Sequence, residues 1–477
     1  MVLSKSNIKS WLPLYIIFAF SLNSYLLYPG NLFYDSVEQF RQAVNGVFNL
    51  HHPPMMAFWW SMMVKIWPNP ATMLVFHLLI LWTASFNFYK FLERHKVSNE
   101  ISKNFSYGTI YFWLPFVPWI LLYSTCILKD VSFAYSYLFV ASMLARFSNK
   151  EQGLNIFRIA IILLILFYGT AVKYQARFIL PIFSWWLASA IINENKYRKL
   201  LLTIVIFCSI YFAQMFANNL LVHSNKEGNT NSWQYVKLYD IAAVSISTDS
   251  NKFIPDYILK SKEYNFDKIK KLYNTQNINY LIIGDQKVFI NTNNKEELKQ
   301  LYALWIQAVT QHPWIYIKHR LTIFTNLVKA YWFLDIWSTG NDSTLVMWST
   351  GTNSPIIVKE NTEKFLSKKN LISFLSYCSK STSLRYWIFF LPLCTIIGVI
   401  MRKKFKDERG KTLVMMNLSG IAIMIVFIPF SLSNDGRHLL ITLMMINYSL
   451  PIALNCIHTI INSRQVDLVA KKIEEQI

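Results

Sequence analysis

The run FYDSVEQFRQAVNGVFNLHHPPMMAFWW, from Phe33 to Trp60, sets Asp35, Glu38, Arg41, His51 and His52 between two apolar segments. Carboxylates and imidazoles at the edge of an apolar run suit proton transfer at a membrane surface. Asp35 and Glu38 stand three apart, so on a helix both lie near its start, with Val37, Phe40 and Val44 along an apolar face. The same Asp-x-x-Glu spacing is also a helix-capping pattern. In His51-His52-Pro53-Pro54 the prolines force an extended approach and lack donors. The imidazoles then stand at the mouth of the next apolar helix, where they could bind phosphate, hold a metal, act as acid and base, or simply sit at the interface.

Three further short segments carry adjacent ionisable groups. Lys129-Asp130 opens the run VSFAYSYLFVASML, where Asp130 could equally be an N-cap. Lys173 and Arg177 form a cationic pair in KYQARF, and Ser433-Asn434-Asp435-Gly436-Arg437-His438 joins acid, guanidinium and imidazole in one turn. Lys129, Lys173, Arg177 and Arg437 would suit a phosphate, with Asp35, Glu38 and Asp130 as the acids and His51, His52 and His438 around them. No GxGxxG, Walker A, HExxH, CxxC or GxSxG pattern is present, and Gly is rare at 13 residues, which argues against a nucleotide cradled by a glycine-rich loop.

The elements that must position these groups are apolar. The 477 residues are 53% hydrophobic and 15% charged, where a soluble domain carries about 25% charge. Apolar runs near the ~20 residues needed to cross a bilayer predict an all-α polytopic membrane protein. Ten spans are expected: Trp11–Tyr28, Ala71–Phe91, Tyr107–Tyr123, Val131–Ala145, Ile156–Ala171, Phe178–Ile192, Leu200–Leu220, Trp387–Met401, Leu413–Ser431 and Leu439–Ile461. Basic loops at Lys90/Arg94/Lys96, Arg146/Lys150, Lys196/Arg198/Lys199 and Arg402/Lys403/Lys404 then fall on the cytoplasmic side, with both termini. The four ionisable segments fall on the outer side. Met55–Trp67 and Leu321–Trp337 read as juxtamembrane or re-entrant helices, giving twelve spans if both cross. The section 222–385 reads as a small mixed α/β extracytoplasmic domain, with a strand-like Tyr280–Gly284 and an amphipathic helix over Lys295–Val309, between membrane modules 1–221 and 386–477. The net charge of +21 reports orientation and suits anionic lipid or phosphate, not nucleic acid. Five scattered cysteines show neither metal spacing nor an evident disulfide pair.

A first span, an acidic outer loop YDSVEQFRQA, and HHPP opening an apolar helix resemble the GT-C superfamily of membrane glycosyltransferases. That group includes protein O-mannosyltransferases, lipid A aminoarabinose transferases and serotype-converting O-antigen glucosyltransferases. ILKD, ending at Asp130, looks like the group's later outer acid, and Ala308–Leu321 (AVTQHPWIYIKHRL) is similar to a stretch in some members. The resemblance implies Asp35 as general base or acceptor-organising acid, Glu38 as a secondary candidate and Asp130 as the second acid. It implies a polyprenyl-phosphate-linked sugar as donor, with a glycan or lipid-linked glycan as acceptor. A divalent metal is compatible with it but not required. The expected setting is a bacterial inner membrane.

The leading expectation is therefore an inverting transferase working on the outer face. A transporter or flippase of lipid-linked glycans predicts ionisable groups deep within spans, whereas here they cluster at span ends. An O-antigen polymerase or ligase would place its key residues in late outer loops, where Arg437 lies.

Overall fold

The computed structural model describes residues 5–49, 52–95, 106–148, 153–192, 195–222, 233–260, 266–331 and 354–474. In chain order the helices are α1 Lys5–Leu27, α2 Tyr34–Asn45, α3 Met55–Val64, α4 Ala71–Glu93, α5 Pro118–Ser124, α6 Lys129–Phe147, α7 Ile156–Ala171, α8 Leu180–Ile191 and α9 Lys196–Leu221. They continue as α10 Trp233–Ser247, α11 Phe266–Leu272, α12 Asn279–Ile282, α13 Lys295–Gln311, α14 Pro313–Lys329, α15 Ser354–Leu366, α16 Lys369–Cys378, α17 Phe390–Lys404, α18 Glu408–Phe430 and α19 Leu440–Glu474.

The fold is all-helical among the described residues, which corrects the mixed α/β expectation for the outer domain. Tyr280–Gly284 is not a strand: Asn279–Ile282 makes one helical turn that ends at Gly284, whose φ is +84°. The turn buries Leu281, whose carbonyl accepts the amides of Val288 and Phe289. Local apolar burial thus decided a run too short for periodicity to assign.

Helix length and apolarity support fewer than the ten expected spans. Among the described residues, four helical stretches are long and apolar enough to cross a membrane: Ala71–Glu93, Lys196–Leu221, Glu408–Phe430 and Gly436–Ser463. Trp11–Leu27, Met55–Val64, Ile156–Ala171 and Leu180–Ile191 are apolar but shorter. The expected span Tyr107–Tyr123 is broken into 3-10 turns at Tyr107–Phe112 and Leu114–Phe116 and the short α5, because Pro115 and Pro118 interrupt it. α6 is long, but Ser132, Tyr135, Ser136, Tyr137 and Ser142 dilute its apolarity. All its residues except Lys129 and Arg146 are buried in the protein. Of the expected Leu321–Trp337 segment, Leu321–Lys329 is the end of a helix that starts earlier, at Pro313, and residues 332–337 lie outside the described residues.

Two cores form. The larger unites α1 to α9 with α17 to α19, and α6 lies in it between α4 and α7, where Gly169 lets α7 approach Ser136. The smaller holds Leu238, Tyr239, Ile241, Phe253, Leu281, Leu301 and Ile323. The section between the membrane modules is therefore divided: residues 233–323 build a core of their own, while Phe365, Ile372 and Leu375 of α15 and α16 join the larger core. In the amphipathic α13, Leu301 and Ala308 are buried while Ile306 faces outward.

Antiparallel packing gives the bundle two chemically distinct ends. At one end Arg94 donates to the Arg146 carbonyl (2.7 Å), Arg146 to Asn87 Oδ1 (2.8 Å), and Arg409 grips Asp407 at the start of α18 (2.6 Å). The opposite end gathers the acids of the first loop and their counter-charges.

Candidate functional site

The first loop is held beside the segment that leads into α6. Asn31 N donates to Thr125 O (2.7 Å) and Ile127 N to Asn31 O (3.1 Å). Gly30 passes this seam at φ +88°, where a Cβ would meet Ile127 at 2.9 Å. Its carbonyl accepts from Asn361 (3.0 Å). Ser36 donates to the Ile127 carbonyl and accepts from Phe33 N (3.2 Å), so α2 starts at a fixed place. Val37 and Phe40 are buried, Phe40 against Trp60 (centroids 5.1 Å apart), so the first turns of the apolar face of α2 pack into protein, while Val44 near its end is exposed.

This arrangement puts Asp35 within reach of two cations and an imidazole from three segments. Its Oδ2 lies 3.3 Å from Arg437 Nη1 and 3.5 Å from Lys129 Nζ, and its Oδ1 lies 3.6 Å from His52 Nε2. Lys129 Nζ is 2.6 Å from His52 Nδ1. An ammonium has protons to give and no lone pair, so Nδ1 accepts and the imidazole proton sits on Nε2, toward Asp35. Burial pushes the Asp35 carboxyl up, but Lys129, Arg437 and His52 outweigh it against the opposition of Asp130, and hold the carboxyl well below the usual carboxylate range.

Asp130 forms the second half. It is 1% exposed; its Oδ1 takes the Lys173 ammonium and lies 3.7 Å from His438 Nδ1. Its Oδ2 has no hydrogen-bond partner among the described residues. Lys173 also sits over the rings of Phe133 and Phe427 (5.8 and 5.9 Å), and His438 stacks on Phe427 (5.4 Å). Arg437 Nε is 2.7 Å from Asp435 Oδ2, and Asp435 caps the short turn that presents Arg437 and His438.

Asp35, His52, Lys129, Asp130, Lys173, Arg437 and His438 are thus brought together. Neither Asp35 nor Asp130 is an N-cap: those positions belong to Phe33 and Leu128. Two expected members lie elsewhere. Glu38 accepts from Arg41 (2.7 and 3.0 Å), Gln42 (3.0 Å) and Asn49 (3.4 Å), which fastens the end of α2 to the chain after it. Burial raises its carboxyl, but these donors lower it further. Arg177 donates to Gln214 (3.1 Å) and lies over Tyr174 and Tyr211, so its role is to tie this turn to α9. His51 lies outside the described residues. Asp435 is noted in the sequence as the acid of its turn but is given no role there, because Asn-Asp-Gly is ordinary turn chemistry; its adjacency to Arg437 was the available signal.

The cluster holds three carboxylates, two lysines, one guanidinium and two imidazoles. Burying acid–cation pairs contributes little stability, because desolvation offsets the attraction. Such clusters concentrate where charge must be handled. No group of three His, Cys, Asp or Glu able to hold a metal ion forms among the described residues. Comparison of the chain with known protein families, with characterised proteins and with solved structures finds no match.

Proposed function

We propose that the chain is an integral membrane glycosyltransferase of the GT-C type, moving a sugar from a polyprenyl-phosphate donor to a glycan or lipid-linked glycan acceptor with inversion. The observation that carries this reading is the convergence of Asp35, Asp130, Lys129, Lys173 and Arg437, from four separated segments, at one end of an apolar bundle. In this reading that end faces the outside of a bacterial inner membrane, and the end with Arg94, Arg146 and Arg402–Lys404 faces the cytoplasm with both termini.

The phosphate of the donor binds where Lys129 and Arg437 now serve Asp35. An aspartate held so low is a weak base. An incoming anion shares its cations and adds negative charge nearby, and both effects raise its basicity. Asp35 takes the proton of the acceptor hydroxyl, the oxygen attacks the anomeric carbon, and the bond from that carbon to the phosphate oxygen breaks. The electron pair leaves on polyprenyl phosphate, whose added charge Lys129, Lys173 and Arg437 neutralise. His52, held neutral by Lys129, keeps its proton toward Asp35 and orients the carboxylate.

The test is transfer from a lipid-linked sugar in proteoliposomes. Asp35→Asn, at normal expression, is expected to lower turnover by about 10²–10⁴-fold, the span of general-base catalysis. Wild-type turnover in that variant overturns the mechanism. Passage of the lipid-linked sugar across the bilayer with no new glycosidic bond would instead make the protein a transporter. Loss of activity in Arg437→Gln with full activity in Asp35→Asn would favour a polymerase or ligase.

A further inference from the structure

The loop that carries Arg437 is fastened from outside the cluster. In the smaller core, Asp240 is buried with its Oδ1 2.7 Å from Arg320 Nε and 3.5 Å from His319 Nε2, while its Oδ2 accepts from Trp305 Nε1 (2.9 Å). Arg320 is fixed by this acid and directs its two remaining nitrogens at main chain: Nη2 at Val236 O (3.0 Å) in α10, and Nη1 at Ser431 O (2.8 Å). Ser431 is the first residue after α18. The next residues are zipped to the same domain: Ile278 N donates to Leu432 O (3.0 Å), Asn277 bridges Ser433, and Asn434 N donates to Gln276 O (2.8 Å). Asp435 follows, and its carboxylate receives both Arg437 N (3.2 Å) and Arg437 Nε.

A planar guanidinium aimed at two carbonyls fixes relative position more tightly than a flexible ammonium could. An ion pair buried this deeply contributes little net stability, so what it supplies is register between two bodies. We propose that Arg320 is a positioning residue: by holding the Ser431–Asp435 loop against the outer domain, it sets Arg437 in place beside Asp35. Its effect on turnover rests on the transferase reading, while its effect on the Asp35–Arg437 contact does not. The outer domain therefore acts on the site through this loop.

The groups facing Asp35 are Lys129 from α6, His52 from the segment before α3 and Arg437 from the loop before α19, with Asp130 beyond them. Losing Arg437 alone removes one of two opposing cations and leaves Lys129 and the His52 imidazole, and the protonation of Asp35 reports it. Infrared difference spectra, wild type against Asp35→Asn, isolate the protonated carboxyl band of Asp35 during an acid titration. In wild type the band stays absent through pH 4. In Arg437→Gln it emerges at higher pH, and Arg320→Gln is expected to reproduce that upward shift. Arg320→Gln strands Asp240, so Asp240→Asn/Arg320→Gln, which keeps an uncharged pair, is measured beside it. Arg320→Lys, which retains the charge but cannot reach both carbonyls, is expected to fall between. A disulfide from Asn277→Cys with Ser433→Cys, formed in the Arg320→Gln background, is expected to restore the wild-type titration and to recover turnover lowered about 10- to 100-fold by misplacement. An unshifted band in both Arg320→Gln and Asp240→Asn/Arg320→Gln, with a shifted band in Arg437→Gln, overturns the proposal. Absent turnover in wild type overturns the transferase reading and leaves the infrared result to decide this one.

Discussion

Asp35 and Glu38 lie on the same helix one turn apart, yet their surroundings separate their roles. Asp35 is met by charges from distant segments, and Glu38 by donors from its own neighbourhood. Glu38→Gln is expected to lower stability by about 1 kcal/mol and to leave transfer close to wild type, checked by thermal unfolding beside the proteoliposome assay. A large loss of turnover at unchanged melting temperature would return Glu38 to the site. For Asp35 the sign of the pH dependence follows from its lowered carboxyl. Its contribution to stability is fully present above the ordinary aspartate value of 3.8 and is lost only as pH falls through the lower folded value. The melting-temperature deficit of Asp35→Asn should therefore stay constant from neutral pH to below pH 5. A deficit that vanishes by pH 5 would show that the carboxylate is not held as described. Residue types flagged Asp35, Asp130 and Arg437 in the sequence. Their partners, Lys173 with Asp130 and Arg437 with Asp35, were not legible, because both pairings cross segments that local patterns do not connect.

At the scale of elements, α17 and α18 meet through glycine. A Cβ on Gly410 would stand 2.5 Å from Gly398 O and 2.6 Å from Arg402 N, both main-chain atoms that cannot step aside. Gly410→Ala is expected to cost about 1–3 kcal/mol by forcing the helices apart, seen as a lower melting temperature; an unchanged one would mean the crossing is looser than described. The anchor between α10 and α14 has its own pH signature. Burial, and then Arg320, push His319 down from 6.5 to about 3, so it is neutral in the fold. Between those values the unfolded chain binds a proton that the folded chain does not, so stability falls as pH drops below 6.5. His319→Gln should flatten that slope, measured by hydrogen exchange of α10 and α14 between pH 7 and 5; an equal slope in the variant would refute it. The sequence pattern located α13, but it misread the ends of α14 and turned a helical turn into a strand. The short apolar runs there carry no period, and the second core decides their form.

For the whole molecule, apolar composition predicted a helical membrane protein, and hydropathy marked ten runs where four stretches of the described residues are long and apolar enough to cross, because interior helices are apolar for packing as well as for lipid. α9 shows the contrast: it exposes Leu200, Leu201, Ile204, Val205, Phe212, Phe216 and Leu220, while α6 is enclosed. The proposed orientation is checked by labelling intact cells with an impermeant maleimide, with Cys208 and Cys378 replaced by serine. Gln286→Cys, in the outer domain, should label, and Lys403→Cys, at the end of α17, should label only after lysis. The reverse pattern would invert the assignment and place the cluster in the cytoplasm.

The seam between residues 276–278 and 432–434 also bears on how the protein comes into being. A ribosome makes Asp35, His52, Lys129, Asp130 and Lys173 early, then the whole insert, and only near the end the turn with Arg437. In the proposed orientation, the acids and lysines wait for their guanidinium until α18 has been inserted and its last residues have met the folded core of residues 233–323. On the transferase reading, competence then comes late in biogenesis, and a chain cut short before Ser431 holds most of the charges and lacks the group that completes the constellation.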